Sequence, residues 1–336
     1  MAVDHLVKIL AERGLASRRG SERMIREGRV QVGGKVITEP GQRVDPQQET
    51  VLVDGHPLPP VPAPVYLVLH KPKGTITSRD DPQERRTVFD LLPEAPLSLH
   101  SVGRLDFNTE GVLLLTNDGD LAYRLTHPSY GVAKSYLVKV SGTPTERQLG
   151  MLTRGMRLED GPTEPALVSV VQSSGPSTWL LITIQEGRNR IIRRMIDHIG
   201  HRTLKLKRVG FGGITLRGVE VGGTRALSKG ELEHLRRQVI EPGKRPLRVS
   251  WEVRKAVAET LRLPPPPPED RESRVAEDGR PYRNKGWARP QARKGRGPAR
   301  AGRRAGASRG RKTGGEGGGG GRKGRGGGGR GGGRRG

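Results

Sequence analysis

The sequence predicts an α+β protein built on a largely antiparallel sheet, and three observations carry that prediction. Long apolar runs such as Gly111-Val112-Leu113-Leu114-Leu115-Thr116 and Trp179 to Ile184 read as buried strands. They are separated by helical segments at irregular intervals, not by the steady strand–helix repeat of a parallel sheet. A proline-rich stretch, Pro57-Leu58-Pro59-Pro60-Val61-Pro62-Ala63-Pro64, fits no helix or central strand and reads as a stiff linker. From Pro264 onward, five prolines give way to Gly/Arg/Lys repeats with almost no aliphatic residues, too few to offset the entropy of ordering. The expected organisation is a small domain at 1–60, a larger one at 61–250 and a disordered basic tail at 251–336.

The first unit has a readable pattern. Val7, Leu10, Ala11 and Leu15 recur at helical spacing, with Gly14 as the stop. Ser17 caps a second helix that turns Met24 and Ile25 inward, and Gly28 ends it. Val30 and Val32 alternate as a strand, Gly33-Gly34 makes a hairpin turn, Val36 continues, and Val51-Leu52-Val53 is the last strand. Arg19, Arg23 and Arg26 fall three or four residues apart and share one helix face, with Arg18 beside them. A basic face on so small a domain suits an RNA backbone, and a merely solvated face is the alternative.

In the body, Tyr66 to His70 is a strand leading into the turn Lys71-Pro72-Lys73-Gly74, and Val88 to Leu92 is expected as a short helix. Gly111–Thr116 is followed by the turn Asn117-Asp118-Gly119 and a helix from Asp120 through Leu125. Tyr136 to Val140 and Trp179 to Ile184 are strands, and Arg190 to Ile199 is a helix. A last helix runs from Ser228 to Val239, with Ser228 and Glu231 spaced as a capping box.

Charge narrows the function. Lys and Arg total 61 against 35 Asp and Glu, a net of +26, which points to a polyanionic partner. Residues 264–336 hold 21 basic and 6 acidic residues, a net of +15, and leave +11 for the remainder. The tail suits an electrostatic RNA tether, or a solubilising extension. The absence of cysteine excludes disulfides, thiol chemistry and cysteine-ligated metals. No apolar run approaches the length of a membrane span, and Met1-Ala2-Val3-Asp4-His5 opens no secretory leader, so a cytoplasmic protein is expected. His198 and His201 are three apart, but Gly200 breaks the helix between them and no metal site is expected there.

The densest polar cluster is Gly103-Arg104-Leu105-Asp106-Phe107-Asn108-Thr109-Glu110-Gly111, set before an apolar strand. On residue types alone it suits a catalytic carboxylate, ordinary turn chemistry or, less well, a metal loop lacking the further acids calcium needs. Asp106 and Glu110 together raise a glycoside hydrolase as a further alternative, though three tryptophans, two of them at or beyond Trp251, furnish few sugar platforms.

Two resemblances resolve these options. Gly14-Leu15-Ala16-Ser17-Arg18-Arg19, Gly28-Arg29-Val30-Gln31-Val32 and Val51-Leu52-Val53-Asp54-Gly55 resemble the alpha-L RNA-binding module of the fourth small-subunit ribosomal protein. His100-Ser101-Val102-Gly103-Arg104-Leu105-Asp106, continuing from Thr109 to Gly119, resembles the catalytic motif of the pseudouridine synthases that modify ribosomal RNA. Lys134-Ser135-Tyr136 and Glu186-Gly187-Arg188-Asn189-Arg190-Ile191-Ile192-Arg193-Arg194-Met195 are similar to that family's later motifs, in family order. Together the resemblances cover residues 4–245.

The resemblance implies uridine-to-pseudouridine isomerisation in RNA, a redox-neutral reaction that needs no cofactor. It implies Asp106 as the essential carboxylate, acting as nucleophile or as base. Tyr136 packs on a flipped base with its hydroxyl assisting proton removal at carbon 5, and Arg193 pairs with Asp106. Ile192 walls the base, and Arg104 fills the gap left by the flipped nucleotide or grips a phosphate. Leu105, Lys134, Arg188 and Arg190 complete the expected substrate-binding set, with Arg18, Arg19, Arg23 and Arg26 as RNA contacts on the first domain. Ile191 stands where the family commonly has Gln, a change expected behind Arg193. The long basic extension resembles the large-subunit, B-type members and so points to 23S RNA or a ribosomal subunit precursor as partner of a monomeric enzyme. The alternatives are a 16S enzyme or a non-catalytic RNA-binding assembly factor.

Overall fold

The computed structural model describes residues 3–243 and 246–266, and the backbone of 272–273. The N-terminal module follows its sequence pattern. Helix α1 (Leu6–Glu12) ends before Gly14, whose φ of +76° a residue with a Cβ rarely adopts. Helix α2 (Arg18–Arg26) starts at Ser17, whose side chain accepts from the Gly20 N–H at 3.1 Å. Strands β1 (Val30–Val32) and β2 (Lys35–Ile37) form a hairpin, and β3 (Val51–Val53) and β4 (His56–Pro57) complete a four-stranded sheet ordered β2-β1-β3-β4. Leu6, Leu10, Ile25, Val30 and Val44 are fully buried between helices and sheet.

The larger domain is built on one eight-stranded sheet. Its strands are β5 (Tyr66–Lys71), β6 (His100–Val102), β7 (Glu110–Thr116), β8 (Lys134–Ser141), β9 (Leu167–Ser173), β10 (Ser177–Ile184), β11 (Thr203–Phe211) and β12 (Thr224–Ala226). They lie in the order β9-β10-β8-β11-β7-β5-β12, with β6 paired on β7. All neighbours are antiparallel except β11 and β7, which meet in parallel through Lys207 opposite Glu110 and Arg208 opposite Gly111. The largely antiparallel α+β architecture is the one the sequence predicts.

Side chains alternate between two covered faces, as the strand period requires. On one face, Tyr136, Val138, Leu180, Ile182 and Leu206 pack under helices α4 (Glu146–Arg154) and α5 (Ile191–His198), which contribute Leu152, Ile192, Met195 and Ile196. On the other, Val112 and Leu114 pack under α3 (Gly119–Thr126) and α6 (Lys229–Gln238). The expected capping box of α6 is present: Ser228 Oγ accepts from the Glu231 N–H, and Glu231 accepts from the Ser228 N–H.

Two expectations change. Residues 88–92 form a turn, not a helix. The Thr87 N–H donates to Asp90 Oδ2 at 2.8 Å and the Asp90 N–H to Thr87 Oγ1 at 3.3 Å, so side chains take the backbone donors a helix would use. Residues 251–261, assigned to the tail, are helix α7 (Trp251–Leu261), capped by Ser250. Val253 and Val257 are buried on Leu137, Leu181 and Val209, so burial holds a segment that composition alone placed outside the core. Gly210 makes room for it: a Cβ there would stand 2.5 Å from Val253 Cγ2. The rest of the expected tail, apart from residues 262–266 and the backbone of 272–273, lies outside the described residues.

Candidate active site

The parallel contact between β7 and β11 creates the site. Gly111 meets the Arg208 backbone there. It has φ +127°, and a Cβ would collide with the Arg208 carbonyl and approach its nitrogen to 2.6 Å. The loop 103–109, which carries the polar cluster, enters β7 at this junction and faces Tyr136 on β8 and the start of α5. These elements enclose a cavity of about 150 Å³.

Asp106 projects from the loop with its side chain about 29% exposed. Its Oδ2 lies 4.0 Å from Arg193 Nε, on the first full turn of α5. Arg193 also donates from Nη2 to the Asn108 carbonyl at 3.2 Å, so one guanidinium meets both the carboxylate and the loop backbone. Its Nε is buried and makes no hydrogen bond, and the nearby carboxylates of Asp106 and Asp197 compensate its charge. Burial and the neighbouring Arg190 push the Arg193 pKa down, and Asp106 opposes them.

Buried partners hold the loop from below. Thr77 Oγ1 donates to the Leu105 carbonyl at 2.9 Å and accepts from the Leu105 N–H at 3.2 Å. Lys71 is fully buried, and its ammonium donates to the carbonyls of Pro72 and Thr109 at 2.9 and 3.1 Å, with that of Phe107 at 3.5 Å. Desolvation lowers the Lys71 pKa to about 8, while nearby Asp106 favours its charged form. Asp106 therefore sits on backbone fixed on either side.

Tyr136 is 8% exposed, lines the cavity, and pairs across the sheet with Arg208 and Ile182. Arg208 is also buried, lines the cavity, and donates from Nε to the Val112 carbonyl at 2.7 Å. Burial pushes its pKa down, and the Tyr136 hydroxyl favours its charged form. Ile192 supplies an apolar wall, and Leu105 and the exposed Arg104 lie at the loop side. Arg190, exposed and left-handed with φ +49°, caps α5 at the opposite rim.

Other expected residues have structural partners. Lys134 lines the cavity, but its ammonium donates to the carbonyls of Val132 and Gln185 at 2.9 and 3.1 Å. Desolvation lowers its pKa to about 8. Arg188 pairs with Glu186 and Asp160, both at 2.8 Å, and Asp160 also holds Arg194, which ties the segment before α5 to the loop at 160. Ile191 is buried in the core where a polar side chain would need a partner. Arg18, Arg19, Arg23 and Arg26 are exposed on α2 and stand apart from the cavity.

Glu110 does not line the cavity. It accepts from His70 Nε2 at 3.1 Å and pairs with Lys207 at 2.9 Å, contacts that hold its pKa at about 2. A paired-carboxylate glycosidase arrangement is therefore absent at Asp106 and Glu110. His201 bonds through Nδ1 to the Ser141 carbonyl, and His198 is exposed at the end of α5.

The sequence gives no signal for Arg208, Lys71 or Thr77. Only the fold reveals that Arg208 points inward.

Residues 65–198 match the family model described as RNA pseudouridylate synthase, and residues 6–49 match the S4 domain. The chain is similar to ribosomal large subunit pseudouridine synthase B of Bacillus subtilis, at 41% identity over 236 residues, covering 70% of this chain and 96% of the relative. It is likewise 41% identical over 243 residues to the protein of that description from Yersinia pestis, covering 70% and 76%. A crystal structure of a pseudouridylate synthase superposes with a TM-score of 0.51 at 29% identity, covering 69% of this chain and 99% of the other.

Proposed function

Because the chain belongs to the RNA pseudouridylate synthase family, we propose that it converts one uridine of 23S ribosomal RNA to pseudouridine. The observation that carries the assignment of residues is the approach of Asp106 to Arg193 at 4.0 Å beside the Tyr136 cavity. The target base leaves its helix to enter this cavity, since a stacked base is out of reach. Asp106 acts on the sugar, as nucleophile at the anomeric carbon or as base at the adjacent one, while Arg193 keeps it aimed. The glycosidic C–N bond breaks, the uracil turns between Tyr136 and Ile192, and carbon 5 bonds to the sugar. The proton lost at carbon 5 is balanced by one gained at nitrogen 1, so the change is an isomerisation and draws on no cofactor.

Arg104 occupies the space the base vacates, and Arg190 meets a flanking phosphate at the other rim. Residues 1–60 form the RNA-docking domain through Arg18, Arg19, Arg23 and Arg26, and residues 61–250 the catalytic domain, to which α7 adds its cover. The enzyme works as a monomer in the cytoplasm, on ribosomal RNA or a subunit precursor. The similarity to large-subunit synthases supports 23S over 16S RNA.

The test is pseudouridine mapping by carbodiimide-blocked reverse transcription of both large ribosomal RNAs. RNA from a strain lacking the protein is compared with RNA from the strain carrying it again. A single 23S stop that disappears and returns is the expected result. A changed 16S stop would reassign the subunit, and no change in either RNA would favour the assembly factor.

A further inference from the structure

Arg208 has features that the catalytic assignment leaves unexplained. It is 3% exposed on the central strand β11, yet among the described residues no carboxylate lies within ion-pair distance of it. Its Nε is anchored on the Val112 carbonyl at 2.7 Å, and its Nη2 is buried without a hydrogen-bond partner. The Phe211 ring, 5.1 Å from the guanidinium carbon, compensates its charge in part. The polar group beside it on the cavity side is the Tyr136 hydroxyl, on the residue paired with it across the sheet. Burying a cation without a counter-ion is costly, and such a cost is met where the charge serves a site.

We propose that Arg208 is the positioning residue for Tyr136: it holds the phenol oxygen toward the flipped base and stabilises the negative charge that oxygen carries once its own proton has left and before it takes the carbon-5 proton. The inference rests on the reading of Asp106 and Tyr136 as an active site. In the step concerned, the C–H bond at carbon 5 breaks and its electron pair restores the C5–C6 double bond of the base. The Tyr136 hydroxyl first gives its own proton to water, the phenolate oxygen so formed takes the carbon-5 proton, and no oxidant or reductant takes part. A guanidinium fixed through Nε to the sheet needs no reorganisation when the charge appears. Arg208 acts through Tyr136, so RNA binding is untouched.

The experiment uses full-length protein and 23S transcripts made with hydrogen or deuterium at carbon 5 of uridine. R208M is expected to lower kcat about 100-fold with KM unchanged, the scale of losing one preorganised donor. It should raise the deuterium isotope effect on kcat, because proton removal becomes slower, and leave the melting temperature at or above that of wild type, because an unpaired buried charge is gone. R208K should recover part of kcat. R208M placed in the Tyr136→Phe protein should cost little more, since both changes remove one interaction.

A wild-type kcat in R208M would overturn the inference. So would a loss that follows a fallen melting temperature with an unchanged isotope effect. If R208M does not fold, an R208K protein with full activity and an unchanged isotope effect overturns it as well. Activity surviving in Asp106→Ala would overturn the parent reading, whereas an inactive Asp106→Ala beside an unaffected R208M would overturn this inference alone.

Discussion

Replacing Glu110 with Gln separates its part in the fold from a part in chemistry. Glu110 is 23% exposed, accepts from His70 at 3.1 Å and pairs with Lys207 at 2.9 Å. These contacts hold its pKa at about 2 against an ordinary 4.5. A carboxylate with a lowered folded pKa stabilises the fold at every pH above its unfolded value, and that stabilisation is lost as the pH falls through the folded one. For Glu110 it amounts to about 3 kcal/mol near neutrality. The Glu110→Gln protein should melt roughly 6–12 °C below wild type at pH 7, the shift expected for a domain of this size. The deficit should be constant above about pH 4.5 and close toward pH 2, where the wild-type carboxyl is also neutral. Urea denaturation across that range measures it. Activity on ribosomal RNA at a temperature where both proteins are folded should stay within a few-fold, because Glu110 does not line the cavity. Equal stability at neutral pH would refute the electrostatic argument, and a stable but inactive variant would return Glu110 to the reacting groups.

Lys71 carries the opposite sign. Burial holds its pKa at about 8 instead of 10.5, so the folded state binds fewer protons than the unfolded one between those values, and stability gains about 3 kcal/mol as the pH rises through them. Lys71→Met should flatten that part of the stability–pH curve and lower kcat by loosening the loop, and alkaline denaturation series with rate assays check both. Gly111→Ala should destabilise by more than about 3 kcal/mol, since the new Cβ collides with the Arg208 carbonyl at a φ of +127°; a soluble, normally melting variant would contradict this. Truncation after Leu263 removes a net charge of +15 and should weaken RNA binding and shallow its salt dependence while leaving the melting temperature unchanged. Truncation after Ser250 also uncovers the surface beneath Val253 and Val257 and should lower the melting temperature.

What the sequence reveals depends on the range of the forces involved. Local signals were legible: the Ser228–Glu231 capping box, the Gly33-Gly34 hairpin and the apolar run of β7 each depend on near neighbours. The order of motifs brought Asp106, Tyr136 and Arg193 forward as a set; Asp106 and Tyr136 line one cavity, and Arg193 lies 4.0 Å from Asp106. The turn at 88–92 escaped because Thr87 and Asp90 compete for backbone donors in a segment with helical apolar spacing. Helix α7 escaped because its cover of β11 depends on the absence of a side chain at Gly210, forty-three residues from Val253. Arg208 and Lys71 escaped for a stronger reason: the burial of a charged side chain depends on which face the sheet covers, and Lys71, expected in a turn, ends β5 instead.

Substitution of Asp106 by Asn keeps the shape of the side chain and removes its charge, and it tests the central claim most directly. Purified wild type and Asp106→Asn are incubated with 23S transcript, and pseudouridine is counted after complete digestion. The account predicts one pseudouridine per transcript with wild type and none above background with Asp106→Asn, at matched RNA binding and matched melting temperature. Turnover by Asp106→Asn within tenfold of wild type would contradict it.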